Sequence, residues 1–258
     1  DGRITVRLGE EELDLRVSVL PTAFGEAVDI RLLPSRMLYS LEALGLAPDH
    51  LGFLEGLIER PHGIIFVTGP TGSGKTTTLY ACLVKLNATS RNILTIEDPV
   101  EYHLPGITQL QIHPKIGLSF AQGLRSMLRH DPDIMMVGEV RDPETAEITI
   151  RSALTGHLVF STLHTNDAAG GVARLLDMGV EPYLVASSVL GFIAQRLVRV
   201  VCSACQEPEE AAPRVAEQFG YANVPAVLHR GRGCECCKGT GYKGRTAMYV
   251  FLVVDDAV

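Results

Sequence analysis

Gly69-Pro70-Thr71-Gly72-Ser73-Gly74-Lys75-Thr76 follows the pattern G-x-x-x-x-G-K-[ST], a spacing suited to holding phosphates. Glycines let successive backbone N–H groups turn inward around a phosphate chain at the positive end of a helix. Lys75 then reaches the β- and γ-phosphates and the Thr76 hydroxyl faces Mg²⁺, with Thr77 beside it. A Gly/Ser-rich turn ahead of a helix is the plainer alternative. Against it, the apolar run Ile64-Ile65-Phe66-Val67 precedes the loop, and Leu79, Ala81, Cys82, Leu83 and Leu86 follow at helical spacing. Strand, loop and helix come in the required order. The sequence reads as a nucleoside triphosphate site.

Phosphoryl hydrolysis also needs carboxylates to hold Mg²⁺ and orient water, and positive charge for the transition state. Two acidic clusters close apolar runs: Ile96-Glu97-Asp98-Pro99-Val100-Glu101, and Ile134-Met135-Met136-Val137-Gly138-Glu139 followed by Val140-Arg141-Asp142. The second resembles a Walker B strand with Gly-Glu where a metal-binding Asp often stands. Glu139 would position Mg²⁺ through water or polarise the attacking water. His157 and His164 flank a third apolar run in Thr155–Asn166. A lone histidine at a strand end is usually structural; these two, read as lying at one end of one sheet, are candidates to sense the γ-phosphate.

A separate chemistry sits near the other end. Cys202-Ser203-Ala204-Cys205 and Cys234-Glu235-Cys236-Cys237 form two C-x-x-C knuckles, the ligand set of a closed tetrahedral Zn²⁺ site. Cys202, Cys205, Cys234 and Cys237 are the expected ligands, with Cys236 spare. Four thiolates leave no open position, so the metal is structural. The long segment between the knuckles, with Pro208, Pro213 and Pro225, adds little closure entropy. Gly239, Gly241 and Gly244 permit tight turns, and Cys82 reads as buried packing. Disulfides are disfavoured because the nucleotide supply is cytosolic.

These residues need a scaffold. Ile4, Val6 and Leu8 alternate, as do Leu13, Leu15, Val17 and Val19, then Val28, Ile30 and Leu32, which predicts three strands with a turn between Pro21 and Gly25. A linker opens at Pro34 and Ser35, leading to short helices over about 40–60. From 62 to 200 apolar strands alternate with amphipathic helices, the mark of a parallel α/β sheet. Candidate strands are 64–68, 93–97, 134–138 and 158–163. A helix over 183–199 is expected from Leu184, Val185, Val189, Leu190, Ile193, Leu197 and Val198. Periodicity then gives way to cysteine, glycine and charge over 202–245.

With 258 residues, 46% hydrophobic and 21% charged, the chain is globular. Its net charge of −7 lacks the general footprint of a nucleic-acid binder. No run approaches the ~20 apolar residues of a membrane span, and no signal peptide is visible. The chain opens on Asp1 rather than Met, which reads as part of a longer protein.

Gly69–Thr76, Ile96–Glu101 (an Asp box), Met136–Arg141 (Walker B) and Thr155–Asn166 (a His box) together resemble the secretion ATPase superfamily, nearest the type II secretion and type IV pilus assembly ATPases. Leu124-Arg125-Ser126-Met127-Leu128-Arg129-His130-Asp131-Pro132-Asp133 and Ala194-Gln195-Arg196-Leu197-Val198-Arg199 match the same group. The resemblance implies a RecA-like ATPase domain over 62–258 carrying a zinc insert at 202–245. Residues 1–35 would then end a small α+β, PAS-like N-terminal domain, with 36–61 as linker and short helices. It implies a cytoplasmic homo-hexamer that hydrolyses ATP with Mg²⁺. Such a ring works at the bacterial inner membrane through platform partners, without nucleic acid. Arg16 and Arg31 match arginines that contact nucleotide, a role suited to a guanidinium fork; an outward-facing strand residue is the bland reading. Where the family often has Gly-Glu-Arg, this chain has Gly25-Glu26-Ala27. Glu101 is favoured to orient the attacking water, with Glu97 second, an assignment that spacing does not make. The tetracysteine insert leans towards secretion or pilus extension rather than retraction. Family members continue with further helices beyond Val253-Val254-Asp255-Asp256. A hexameric nucleic-acid motor or DNA-uptake ATPase is the runner-up, recognisable by DNA-stimulated hydrolysis. A non-hydrolysing zinc scaffold is disfavoured by intact Lys75, Thr76 and Glu139.

Overall fold

A computed structural model describes residues 2–9, 11–33, 40–210 and 227–254. The linker at Pro34 and Ser35, the stretch holding Pro213 and Pro225, and Asp255-Asp256 lie outside these residues. The alternating start of the chain forms an antiparallel sheet of β1 (Gly2–Leu8), β2 (Glu11–Thr22) and β3 (Gly25–Leu33), with Ala23 and Phe24 as the β2–β3 turn. Register puts Ile4 opposite Leu15 and Leu15 opposite Leu32, and Arg16 opposite Arg31. Side chains alternate across a strand, so one face is aliphatic and the other carries Arg16, Ser18, Asp29 and Arg31. Ile4, Val28, Ile30 and Leu32 on the aliphatic face are more than half exposed.

The larger unit is a seven-stranded sheet in the order β12-β9-β4-β8-β7-β5-β6. Its strands are β4 (Gly63–Thr68), β5 (Ile93–Glu97), β6 (Thr108–Gln111), β7 (Ile134–Val137), β8 (Leu158–Leu163), β9 (Val189–Val201) and β12 (Tyr242–Val253). All neighbours are parallel except β9 and β12. β4, β5, β7 and β8 are buried along their whole length, as unbroken apolar runs in a parallel sheet require. Helices cover both faces. Ile65, Val67, Ile134 and Phe160 pack with α1 (Pro48–Ile58) and α2 (Lys75–Leu86). Phe66, Ile96, Val137 and Val159 pack with α3 (Phe120–Met127), α4 (Pro143–Leu154), α5 (Ala169–Asp177) and α6 (Pro182–Ser188). Phe66 stacks on Phe192 at 5.5 Å between centroids. Asp142 caps α4, accepting the Thr145 N–H at 2.9 Å ahead of Pro143, the usual device for satisfying an orphan donor at a helix start.

The helix expected over 183–199 is not formed. α6 stops at Ser188 and the chain continues as β9. Val189 to Gln195 run beside β4 and are buried apart from a half-buried Leu190, so apolar residues recur on both faces there and mimic helical spacing. β-branched Val189, Ile193, Val198, Val200 and Val201 favour the strand. β9 and β12 then extend as a two-stranded ribbon. Between them the chain leaves the sheet for a small module containing β10 (Gln206–Glu210) paired with β11 (Val227–Gly231). No helix among the described residues is long and apolar enough to cross a membrane.

Candidate functional site

The sheet order brings the C-terminal ends of β4, β5, β7 and β8 to one edge, where an open α/β sheet holds its ligands. A cleft of about 610 Å³ opens there, and Lys75, Thr76, Thr77, Glu139 and His164 line it together with Arg31 from β3. Glu101 and Arg245 also face it. The phosphate loop joins β4 to α2 with Gly69, Gly72 and Gly74 at φ of 143°, 77° and 91°, a conformation that favours glycine. Lys75 Nζ donates to the carbonyls of Gly69 at 2.8 Å and Pro70 at 3.1 Å. Burial pushes its ammonium below the usual range, against the pull of the Glu139 carboxylate. The buried Ser73 Oγ has no hydrogen-bond partner among the described residues.

Glu139 follows β7 at 7% exposure. Arg141 Nε donates to its Oε2, and His164 Nε2 stands 3.4 Å from the same oxygen. Lysine, carboxylate and imidazole therefore surround one opening beside the loop. The two Asp-box glutamates differ. Glu97 is buried, and the Tyr80 hydroxyl, the Thr95 hydroxyl and the Gln109 amide all donate to it. Burial raises its pKa above the usual carboxylate value, partly offset by those donors. Glu101 is half-buried on the loop after β5. It also lines a second cavity of about 540 Å³, walled by Arg16 and Arg31 on the polar face of the small sheet.

His157 does not join His164. It precedes β8 while His164 follows it, and roughly 20 Å of extended chain separates them. His157 Nδ1 lies 2.8 Å from the Ser152 carbonyl and 3.2 Å from Thr155 Oγ1, tying the end of α4 to β8 on the far edge of the sheet. The two histidines expected at one end of the sheet are thus separated by the whole of β8. Of the two arginines, Arg16 reaches the second cavity rather than the phosphate-loop cleft, and Arg31 borders both. The Tyr80–Glu97–Gln109 network escaped sequence reading. A signal existed: Thr95 and Glu97 are two apart on one strand and so share a face, and a tyrosine on a buried helix face needs a partner for its hydroxyl.

The four expected cysteines converge. Their Sγ atoms lie within 4.8 Å of one another, close enough to bind a metal ion. The sulfurs stand 3.9 Å apart for Cys202–Cys234, 3.8 Å for Cys205–Cys237 and 3.7 Å for Cys234–Cys237. Four sulfurs about 2.3 Å from a tetrahedral Zn²⁺ stand about 3.8 Å apart, so the donor set fits that ion. Backbone N–H groups of Cys234 and Gly241 point at Cys237 Sγ at 3.1 and 3.3 Å, and the first holds that thiol below its usual pKa. Gly239 and Gly241, at φ of 78° and 75°, shape the knuckle. Cys236 is exposed and outside the cluster, and Cys82 is buried in α2.

A family model described as Type II/IV secretion system protein matches residues 1–258. The type II secretion system protein E of Pseudomonas aeruginosa is 54% identical over 258 residues, covering 99% of this chain and 51% of that protein. The type II secretion system ATPase E of Vibrio cholerae serotype O1 is 52% identical over 260 residues, covering 100% and 52%. The crystal structure of the pilus retraction motor PilT with bound ADP matches with a TM-score of 0.70 at 30% identity, over 99% of this chain and 64% of that one. The chain spans about half the length of the curated relatives it matches.

Proposed function

Because the chain belongs to the Type II/IV secretion system protein family, we propose that it is the ATP-hydrolysing portion of a cytoplasmic, homo-hexameric motor for type II protein secretion. The observation that carries this is the cleft where Lys75, Thr76, Glu139 and Arg31 surround the phosphate loop. The loop amides and Lys75 bind the β- and γ-phosphates, and the γ-phosphate draws Lys75 from the Gly69 and Pro70 carbonyls. The Thr76 hydroxyl and the Glu139 carboxylate are hard oxygen donors that suit Mg²⁺, which when bound neutralises charge on the transferred phosphoryl group. Glu139, with His164 near it, orients the attacking water. Glu101 is the Asp-box residue free to do so as well, since Glu97 is committed to three donors. Arg31, and Arg16 once the small sheet closes on the cleft, supply positive charge.

In this reading residues 1–35 end an N-terminal domain, 36–61 link it to the ATPase domain over 62–258, and 202–245 is a zinc-binding insert. Closure works only through a difference in nucleotide affinity between open and closed forms, and Arg31 in the cleft wall supplies one. The motion passes to inner-membrane platform proteins, so the motor meets the membrane through partners. Identity of 54% to a type II secretion protein, against 30% to a pilus retraction motor, favours secretion over pilus retraction.

The test is Mg²⁺-ATP hydrolysis over a range of protein concentrations, with Lys75→Ala as blank. Specific activity should climb with concentration as the ring assembles, and Lys75→Ala should be inactive. Full turnover by Lys75→Ala would refute the site. Constant activity that DNA raises would mean a nucleic-acid motor.

A further inference from the structure

The hexapeptide Ala194–Arg199 lies on β9, and its second residue touches the phosphate loop. Thr68 pairs with Ala194 as the last rung between β4 and β9, so Gln195 stands beside Gly69 where the loop begins. Gln195 is 2% exposed, and its Oε1 accepts the Thr78 hydroxyl of α2 at 2.7 Å. A Cβ placed on Gly69 would lie 2.4 Å from the backbone carbonyl oxygen of Gln195, and one on Gly74 would lie 2.8 Å from its side-chain Nε2. One residue therefore abuts the first and last glycines of the loop and bonds the helix the loop opens. A buried polar side chain of this kind fixes geometry, because its alternatives leave groups unpaired.

We propose that Gln195 is a positioning residue for the phosphate loop, holding its glycines in register with α2 so that nucleotide meets a preformed cradle. This rests on the nucleotide reading of the cleft. Without the amide, Gly74 and the start of α2 lose their backing, and nucleotide must order the loop as it binds, at a cost in affinity. The neighbours on β9 divide in the same way. Leu197 faces the cleft, whereas Arg196 on the opposite face donates to the Asn166 carbonyl at 3.3 Å.

A purely structural role would be to satisfy the Thr78 hydroxyl. Gln195→Leu strands that buried hydroxyl and should lower the melting temperature; adding Thr78→Val removes both polar partners and should restore most of it. The readouts are thermal unfolding and equilibrium binding of a fluorescent ADP with Mg²⁺. The expected result is that the double variant melts near the wild type yet binds nucleotide about tenfold more weakly, with KM for ATP raised by a similar factor and kcat little changed. Gln195→Asn, which keeps the amide but withdraws it by one methylene, should show the same loss if the leucine variants fail to fold. Wild-type affinity in either folded variant overturns the proposal. If the wild type itself binds no better than Lys75→Ala, the nucleotide reading fails and takes this one with it.

Discussion

Two glutamates four residues apart share a cluster and divide at the level of single hydrogen bonds. Glu97 is ringed by Tyr80, Thr95 and Gln109, while Glu101 faces the cavities. Burial raises the Glu97 pKa above its usual 4.5, so the folded chain holds that proton more tightly than the unfolded one. The contribution of Glu97 to stability is therefore fullest below pH 4.5 and is lost as pH climbs through the raised folded-state value. Glu97→Gln carries no such titration. Urea unfolding across pH should show wild-type stability falling relative to this variant from pH 4.5 upward. A constant difference would mean that Glu97 ionises normally. Lys75 and Thr76 were legible in the sequence because the phosphate loop fixes them by local spacing, and Glu139 because it closes the apolar run of β7. The Glu97 donors were not, because Tyr80 and Gln109 reach it from separate elements. His157 shows the converse error, since nearness in sequence to His164 meant opposite ends of β8.

At the scale of elements, close approach decides which residues the packing tolerates. Gly123 lies inside α3, where alanine ordinarily gains about 0.5–1 kcal/mol over glycine. Here a Cβ would stand 2.1 Å from Cδ1 of Ile96, and Ile96 is fully buried on β5. Overpacking of this kind costs about 1–3 kcal/mol, so the steric term wins. Gly123→Ala should lose about 1 kcal/mol or more by denaturant unfolding, and a gain in stability would show that α3 slides freely over β5. The strands of the central sheet were legible because burial on both faces makes unbroken apolar runs. β9 was read as helix for the same reason: with both faces covered beside β4, its pattern carries no period of two. Beyond Gln195, where the ribbon leaves the core, the strand becomes largely exposed.

Over the whole molecule the metal module hangs from both strands of that ribbon. Cys202 follows the end of β9, and its N–H donates to Gly241 just ahead of β12 at 3.0 Å. Arg199 stacks over Tyr242, 3.9 Å from the ring centroid. Cys202→Ser with Cys205→Ser removes half the ligand set and should reduce bound Zn²⁺ from about one equivalent per chain to none. Elemental analysis finding zinc retained would refute the assignment. The knuckle spacing made this cluster readable without a fold, whereas the sheet order that gathers β4, β5, β7 and β8 at one edge had to be seen.

The small three-stranded sheet has two unlike sides. Its guanidinium side borders the phosphate-loop cleft through Arg31, and its aliphatic side faces away. One hydrogen-bonded backbone layer divides them. In the proposed motor, anything resting on the aliphatic side senses the phosphates only as displacement of the sheet.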